Sequence, residues 1–226
     1  MNKITRETIL KKIVEIGLRP NLPKDSLIED CKNYKYKIDR NIYEYLKFMP
    51  ELGKCLKKDS IVLEIGVGSG IAAQQIQKKY GCKLTGTGLQ KPQHCNFDFE
   101  IATANELPFQ SNTFDIVISM HGISWEPNQK EALKEVIRVL KPNGIAHIYL
   151  IRFSHSIALF YGNDFWKDLE IEPKDIHLNE FNSLAEFDGV QMELYENEFP
   201  DEICEGHYKE WYLIIRKPSD SLAKDI

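Results

Sequence analysis

The sequence predicts an α/β protein: a parallel sheet with helices on both faces. Three observations carry that reading. First, the apolar run Ile61 to Leu63 and Ile65, interrupted only by Glu64, passes directly into Gly66, Gly68 and Gly70, and a helical pattern follows from Ile71 to Tyr80. Second, Phe114 to Met120 reads as another buried strand. Third, an amphipathic helical pattern over Asn128 to Leu140 leads through Lys141-Pro142-Asn143-Gly144 into an apolar run, Ile145 to Ile151. Strands that alternate with helices in this way are joined by crossovers and lie parallel. Glycines at a strand-to-helix turn let backbone approach a ligand closely, and the helix start offers free N–H groups.

The composition is that of an ordinary globular chain. At 226 residues, with 42% apolar and 28% charged residues, there is material for one substantial core and a small appendage. A net charge of −5 argues against a general nucleic-acid binder, which carries a basic balance. The five cysteines are scattered without a C-x-x-C pair, which indicates neither a zinc site nor a disulfide framework. Met1 to Arg19 lacks the apolar core of a signal peptide, and no apolar run reaches the ~20 residues a bilayer span needs. A cytoplasmic chain without membrane or nucleic-acid partners, as a monomer or homodimer, is the expectation.

Taken in order, Ile4 to Gly17 repeats apolar residues at helical spacing, and Arg19 to Asp30 with its two prolines is loop-like. A second helical pattern runs from about Arg40 to Leu56, with Ile42, Tyr45, Leu46, Met49 and Leu52 as inner positions and Pro50 placed to kink or split it. Residues 1–55 thus form a helical cap ahead of a main domain, 56–217, with 218–226 a flexible tail. Strand one and its helix come next. Lys83 to Leu89 reads as strand two and Phe97 to Thr103 as strand three. Only nine residues separate Gly88 from Asp98 and they include Pro92, so the crossover is shortened to a loop or single turn. Beyond strand five, Ser156 to Leu169 and Asn179 to Phe187 are helical or pocket-forming candidates. Val190 to Phe199 and His207 to Arg216 are strand candidates separated by a Pro-containing loop. Glu193, Glu196, Glu198, Asp201, Glu202 and Glu205 give this region an acidic, solvated face.

Three segments together resemble the class I S-adenosylmethionine-dependent methyltransferases of small-molecule type: Val62 to Gly70, Glu106 to Val117 (with Leu107-Pro108-Phe109), and Glu135 to Gly144. The resemblance covers roughly Leu56 to Ile151 well and the C-terminal hairpin loosely. It implies a three-layer, Rossmann-like sandwich on a mostly parallel seven-stranded sheet of order 3-2-1-4-5-7-6, closed by an antiparallel hairpin. It implies S-adenosylmethionine as cofactor, with contacts from Glu64, Gly66, Gly68, Gly70, Leu89, Gln90, Asn105, Glu106 and Met120. Glu64 would organise the glycine loop or reach the cofactor's amino group through water. The glycines would pass under its methionine and ribose parts, and Met120 and His121 would stand beside the methyl group. Glu64 as a local cap for backbone N–H groups is the plainer reading. Tyr34, Tyr36, Tyr43 and Tyr45 lie where such proteins carry a segment over the cofactor; aromatic packing on the sheet edge is the alternative.

The sequence departs from the family pattern on the adenosine side. Gly88 stands where an acid normally grips the ribose hydroxyls, and Thr103 stands where many members place an Asp for the adenine amino group. Gln90 or Asn105 would substitute with neutral hydrogen bonds.

Methyl transfer from a sulfonium mainly requires positioning and exclusion of water. His121 is the candidate catalytic base, since imidazole titrates near neutrality; the alternative is that it only holds the strand end. Trp125 and Glu126 follow on the same loop as candidates for shaping an acceptor pocket or binding a cation. His147 reads as structural, and His155 could face the pocket. No metal cluster is indicated. The expected function is methyl transfer to a small molecule, with a methyltransferase-fold binding or scaffold module as the alternative.

Overall fold

The computed structural model describes residues 40–92, 95–126, 129–151, 190–201 and 206–219. The helix expected over Ile4 to Gly17, Tyr34 and Tyr36, His155, and the segments Ser156 to Leu169 and Asn179 to Phe187 lie outside the described residues.

Seven strands form one sheet of order β3-β2-β1-β4-β5-β7-β6. They are β1 (Ile61–Ile65), β2 (Lys83–Gly88), β3 (Asp98–Ile101), β4 (Phe114–Met120), β5 (Leu140–Ile151), β6 (Gln191–Asp201) and β7 (Gly206–Arg216). The first five pair in parallel, and β7 pairs antiparallel with both β5 and β6. The family's sheet order and its closing hairpin are both present.

Alternate residues of each strand feed two separate cores. Val62, Leu84, Ile116, Ile118, Met120, Tyr149 and Tyr212 face α1 (Ile42–Phe48), α2 (Leu52–Cys55) and α3 (Ile71–Tyr80). Leu63, Ile65, Val117, Ala146, Ile148 and Leu213 face α4 (Gln129–Val139) through Ala132, Leu133 and Val136. A sheet apolar on both faces requires both helical layers. The long helical pattern near Pro50 is split into α1 and α2, with Pro50 in the turn between them. Ile42, Tyr45, Met49 and Leu52 are buried in the same core as the sheet. Asn41 caps α1, its Oδ1 accepting from the Tyr43 and Glu44 N–H groups at 2.9 and 3.3 Å.

Three element boundaries differ from expectation. Lys141 to Gly144 is a bulge within β5 and not a turn before it. Leu140 pairs with Phe114 and Ile145 with Ile116, so residues 141–144 oppose Asp115 alone. Asn143 takes φ 62°, and Lys141 Nζ donates to Asp115 Oδ1 at 2.8 Å, fixing the bulge. Pro200 lies inside β6 opposite His207, not in a loop; β6 is an edge strand, where a missing N–H is tolerated. β3 ends at Ile101, not Thr103, and begins after Phe97, whose ring lies against Gly70 and Gly86. The short β2–β3 crossover contains no helix among its described residues. No described helix is long and apolar enough to cross a membrane.

The second and third motif segments grip one another. Glu135 Oε2 accepts from the Leu107 N–H at 2.9 Å, and Arg138 donates to the carbonyls of Phe109 (2.6 Å) and Leu107 (3.0 Å). The Glu135–Arg138 pair thereby holds Leu107-Pro108-Phe109 against α4 and fixes the loop that follows β3. Arg138 also holds the Glu135 carboxyl below its ordinary pKa, chiefly by hydrogen bonding.

Candidate active site

The crevice lies where the sheet reverses direction of growth. β1 is flanked by β2 on one side and β4 on the other, so the chain departs to opposite faces from neighbouring strands. The carboxyl ends of strands at such a point leave room for a ligand. The glycine loop occupies it. Gly66 and Val67 donate N–H bonds to the Thr87 carbonyl at 2.9 and 3.0 Å, tying the loop to the end of β2.

Two of the glycines have distinct steric reasons. Gly66 has φ +77°, and a Cβ there would stand 2.7 Å from Gly122 Cα, inside contact distance of backbone. Gly68 has φ +54° and is exposed, and a Cβ there would meet nothing within 4 Å, so the loop is open on that side. Beyond it, the Phe97 ring and Pro92 wall Gly70, at 3.2 and 3.3 Å from a Cβ built there.

Glu64 is fully buried at the end of β1. Its Oε1 accepts the hydroxyl of Tyr45, a buried residue of α1. Its Oε2 has no hydrogen-bond partner among the described residues. Burial raises the Glu64 pKa from 4.5 to about 7, and the Tyr45 hydrogen bond opposes that rise. The Tyr45 phenol is in turn pushed well up by burial and by the adjacent carboxyl. An acceptor oxygen in this condition suits a donor, and a cation above all. Tyr43, by contrast, is largely exposed.

The turn after β4 meets the glycine loop. Met120 is buried beside Tyr149, and His121 is 5% exposed with φ +68°, an uncommon conformation for a residue with a side chain. The His121 N–H donates to the Tyr149 carbonyl at 2.9 Å, and the two rings meet edge to face with centroids 5.2 Å apart. Gly122 opens a short 3₁₀ helix, Gly122–Trp125. Ser119 Oγ donates to the Ile65 carbonyl and accepts from the Ile123 N–H, both at 3.2 Å, which joins this turn to the end of β1.

The loop after β3 supplies the third side. Glu126 accepts from the Ala104 N–H through Oε1 and from Asn105 Nδ2 through Oε2, each at 2.7 Å. Asn105 Oδ1 and Thr87 Oγ1 are buried without a partner among the described residues. Glu106 and Gln90 are exposed and Leu89 is half-buried. Gly88 is open: a Cβ there would find only Phe99 at 3.7 Å and the Gln90 carbonyl at 3.9 Å. His147 lies away from the crevice, buried in β5 with Nδ1 2.5 Å from Tyr212 Oη; burial lowers its pKa to about 3 and keeps it neutral. No group of His, Cys, Asp or Glu among the described residues could hold a metal ion.

The structure therefore brings Glu64, Gly66, Gly68 and Gly70 to one loop, with Met120 and His121 on the neighbouring turn. It adds Gly122, Pro92, Phe97 and the Tyr45–Glu64 pairing, none of which the sequence reading identified as part of the site. For Gly122 a signal existed: a glycine immediately after a buried strand invites a close backbone approach. Nothing local marked Phe97 as a wall.

A sequence profile described as "Methyltransferase domain" matches residues 63–148, from within β1 to within β5. Among curated proteins, the sarcosine/dimethylglycine N-methyltransferase of Halorhodospira halochloris is 30% identical over 42% of this chain and 39% of its own length. The mitochondrial arginine-hydroxylase NDUFAF5 of Mus musculus is 35% identical over 38% of this chain and 27% of its own. The solved phosphoethanolamine N-methyltransferase 2 of Haemonchus contortus, in complex with phosphomonomethylethanolamine and S-adenosylhomocysteine, superposes with a TM-score of 0.57 at 16% identity. That match covers 78% of this chain and 53% of the other. Over residues 63–148 the chain is similar to methyltransferase domains, and its fold is that of the class I S-adenosylmethionine-dependent methyltransferases. The chain spans about half or less of the length of the curated relatives that it matches.

Proposed function

We propose that the chain is an S-adenosylmethionine-dependent methyltransferase acting on a small-molecule acceptor. The observation that carries this reading is the buried Glu64, whose Oε2 has no partner among the described residues, at the root of a glycine loop that is open beside Gly68. A carboxylate so placed suits the ammonium of the cofactor's methionine part, and the side-chain-free loop suits its nucleoside. When bound, the cofactor supplies an electrophilic methyl group on a sulfonium.

The chain's own residues bind, orient and exclude water. Tyr45 fixes the Glu64 carboxyl. Met120 offers an apolar, polarisable side chain at the end of β4. His121, held by the Tyr149 carbonyl and ring, is the group proposed to take a proton from the acceptor. Leu89, Gln90, Asn105 and Glu106 border the adenosine side. The alternative of a fold serving only as a binding module draws no support from the two curated relatives described above, both named as enzymes.

Isothermal titration with S-adenosylmethionine and S-adenosylhomocysteine tests the binding step. Transfer of a tritiated methyl group to a panel of small amines and hydroxy compounds tests the reaction. Folded protein that gives no heat with either ligand at millimolar concentration overturns the reading.

A further inference from the structure

Asn105 and Glu126 meet across two loops that are far apart in sequence. One follows β3 and the other follows β4. Glu126 Oε2 lies 2.7 Å from Asn105 Nδ2, and Glu126 Oε1 lies 2.7 Å from the Ala104 N–H. An ionised carboxylate only accepts hydrogen bonds, so both groups facing it must be donors. This fixes the orientation of the Asn105 amide: nitrogen toward Glu126, oxygen away from it. The oxygen is then buried and unpaired among the described residues. Burying an amide oxygen without a donor is unfavourable, and a ligand donor would relieve it.

The position of this oxygen relative to the glycine loop follows from a chain of contacts. Gly66 of the loop packs on Gly122, Gly122 opens the 3₁₀ helix Gly122–Trp125, and Glu126 follows it directly. Asn105 is thus tied to the turn that touches the loop, at the carboxyl ends of the same strands.

We propose that Glu126 is a positioning residue that holds Asn105 as a fixed hydrogen-bond acceptor, selecting a nucleoside with an exocyclic amino group over one with a carbonyl at that position. This rests on the reading above that the crevice takes an adenosyl cofactor. It names the device that replaces the acid absent at Thr103.

The test uses substitutions of nearly unchanged shape in the full chain. The probes are S-adenosylhomocysteine and its 6-oxo counterpart, S-inosylhomocysteine, measured by titration calorimetry with folding checked by thermal melting. Wild-type protein is expected to favour the amino ligand by about tenfold or more, the equivalent of one good hydrogen bond. In Glu126→Gln the oxygen of the new amide accepts from the Ala104 N–H, so its nitrogen faces Asn105. The Asn105 amide then turns over and presents nitrogen inward. The preference is expected to collapse or reverse toward the 6-oxo ligand. In the double variant Glu126→Gln with Asn105→Asp, the Gln nitrogen donates to one Asp oxygen and the other takes the place of Oδ1, so the amino preference returns. A merely structural role for Glu126 would weaken both ligands together and leave their ratio alone. An unchanged ratio in Glu126→Gln overturns the proposal, as does equal binding of the two ligands by wild type. Binding of neither ligand by folded wild-type protein overturns the cofactor reading itself, and this proposal with it.

Discussion

Gly66 and Gly122 pack backbone against backbone across the point where β1 and β4 lie side by side. A Cβ on Gly66 would lie 2.7 Å from Gly122 Cα, and a Cβ on Gly122 would lie 2.4 Å from the Ile65 carbonyl oxygen. Neither neighbour is a flexible side chain end, so neither can swing away. Replacing Gly122 with Ala is expected to destabilise the fold by roughly 1–3 kcal/mol, the usual range for overpacking, and to weaken S-adenosylhomocysteine binding by displacing the glycine loop. Thermal melting and titration calorimetry on the same preparation check both effects. A variant as stable as wild type would show that the two loops separate at little cost.

Glu64 gives a pH dependence of defined sign. Its pKa is about 7 in the folded protein against 4.5 ordinarily, mainly through burial. Between those values the folded protein keeps a proton that the unfolded chain has lost. The contribution is therefore fully present below about 4.5 and lost as pH rises through about 7. Its size is on the order of 3 kcal/mol. Glu64→Gln should flatten the stability profile over this window relative to wild type in urea titrations at several pH values. Because a cationic ligand favours the ionised carboxyl, S-adenosylmethionine affinity should rise with pH over the same range, and protons should be released on binding. Parallel wild-type and Gln profiles would remove Glu64 as the source.

Gly88 offers a gain-of-function test. Its φ lies outside the left-handed region, and a Cβ there meets only ordinary contacts at 3.7 and 3.9 Å. Gly88→Asp is therefore expected to fold normally. Placed at the end of β2, the new carboxylate is positioned to accept from ribose hydroxyls, and S-adenosylhomocysteine should bind about tenfold more tightly, the equivalent of one charge-assisted hydrogen bond. No gain with S-adenosylhomocysteine, in a variant that melts like wild type, would mean that the ribose lies elsewhere.

Much of this architecture was legible in the sequence because the decisive signals were local and repeated. Ile61 to Gly70 and Phe114 to Met120 each carry strand composition and their own boundary, and the order of the three motif segments supplied the topology. The structure has both of these strands and that sheet order. It departed where long-range contacts decide. Lys141 to Gly144 has turn chemistry, yet the Asp115–Lys141 pair keeps it within β5. Phe97 reads as a strand residue, yet it precedes β3 and its ring lies against Gly70 and Gly86. The Tyr45 hydroxyl on Glu64 joins residues 19 apart with no periodic signal between them. The Glu126 carboxylate accepts from Ala104 and Asn105, 22 and 21 residues away, and no local pattern marks that pairing.

His121 separates geometry from chemistry. Its φ of +68° is a conformation that most residues resist, and it is held by the Tyr149 carbonyl and ring. Asn is the substitute of choice, since its short polar side chain enters the left-handed region more readily than most while lacking a group that titrates near neutrality. His121→Asn should therefore keep the β4 turn, and S-adenosylhomocysteine affinity should stay within about threefold of wild type. If His121 accepts the acceptor's proton, turnover should fall by about 10²–10⁴-fold, the range for a lost general base. Its pH profile should also lose the limb that reports the imidazole. The transfer assay with tritiated cofactor, run from acid to alkaline pH, reads both. Retained turnover in a variant that binds normally would assign His121 to holding the strand end, and an acceptor that enters already deprotonated would need no base.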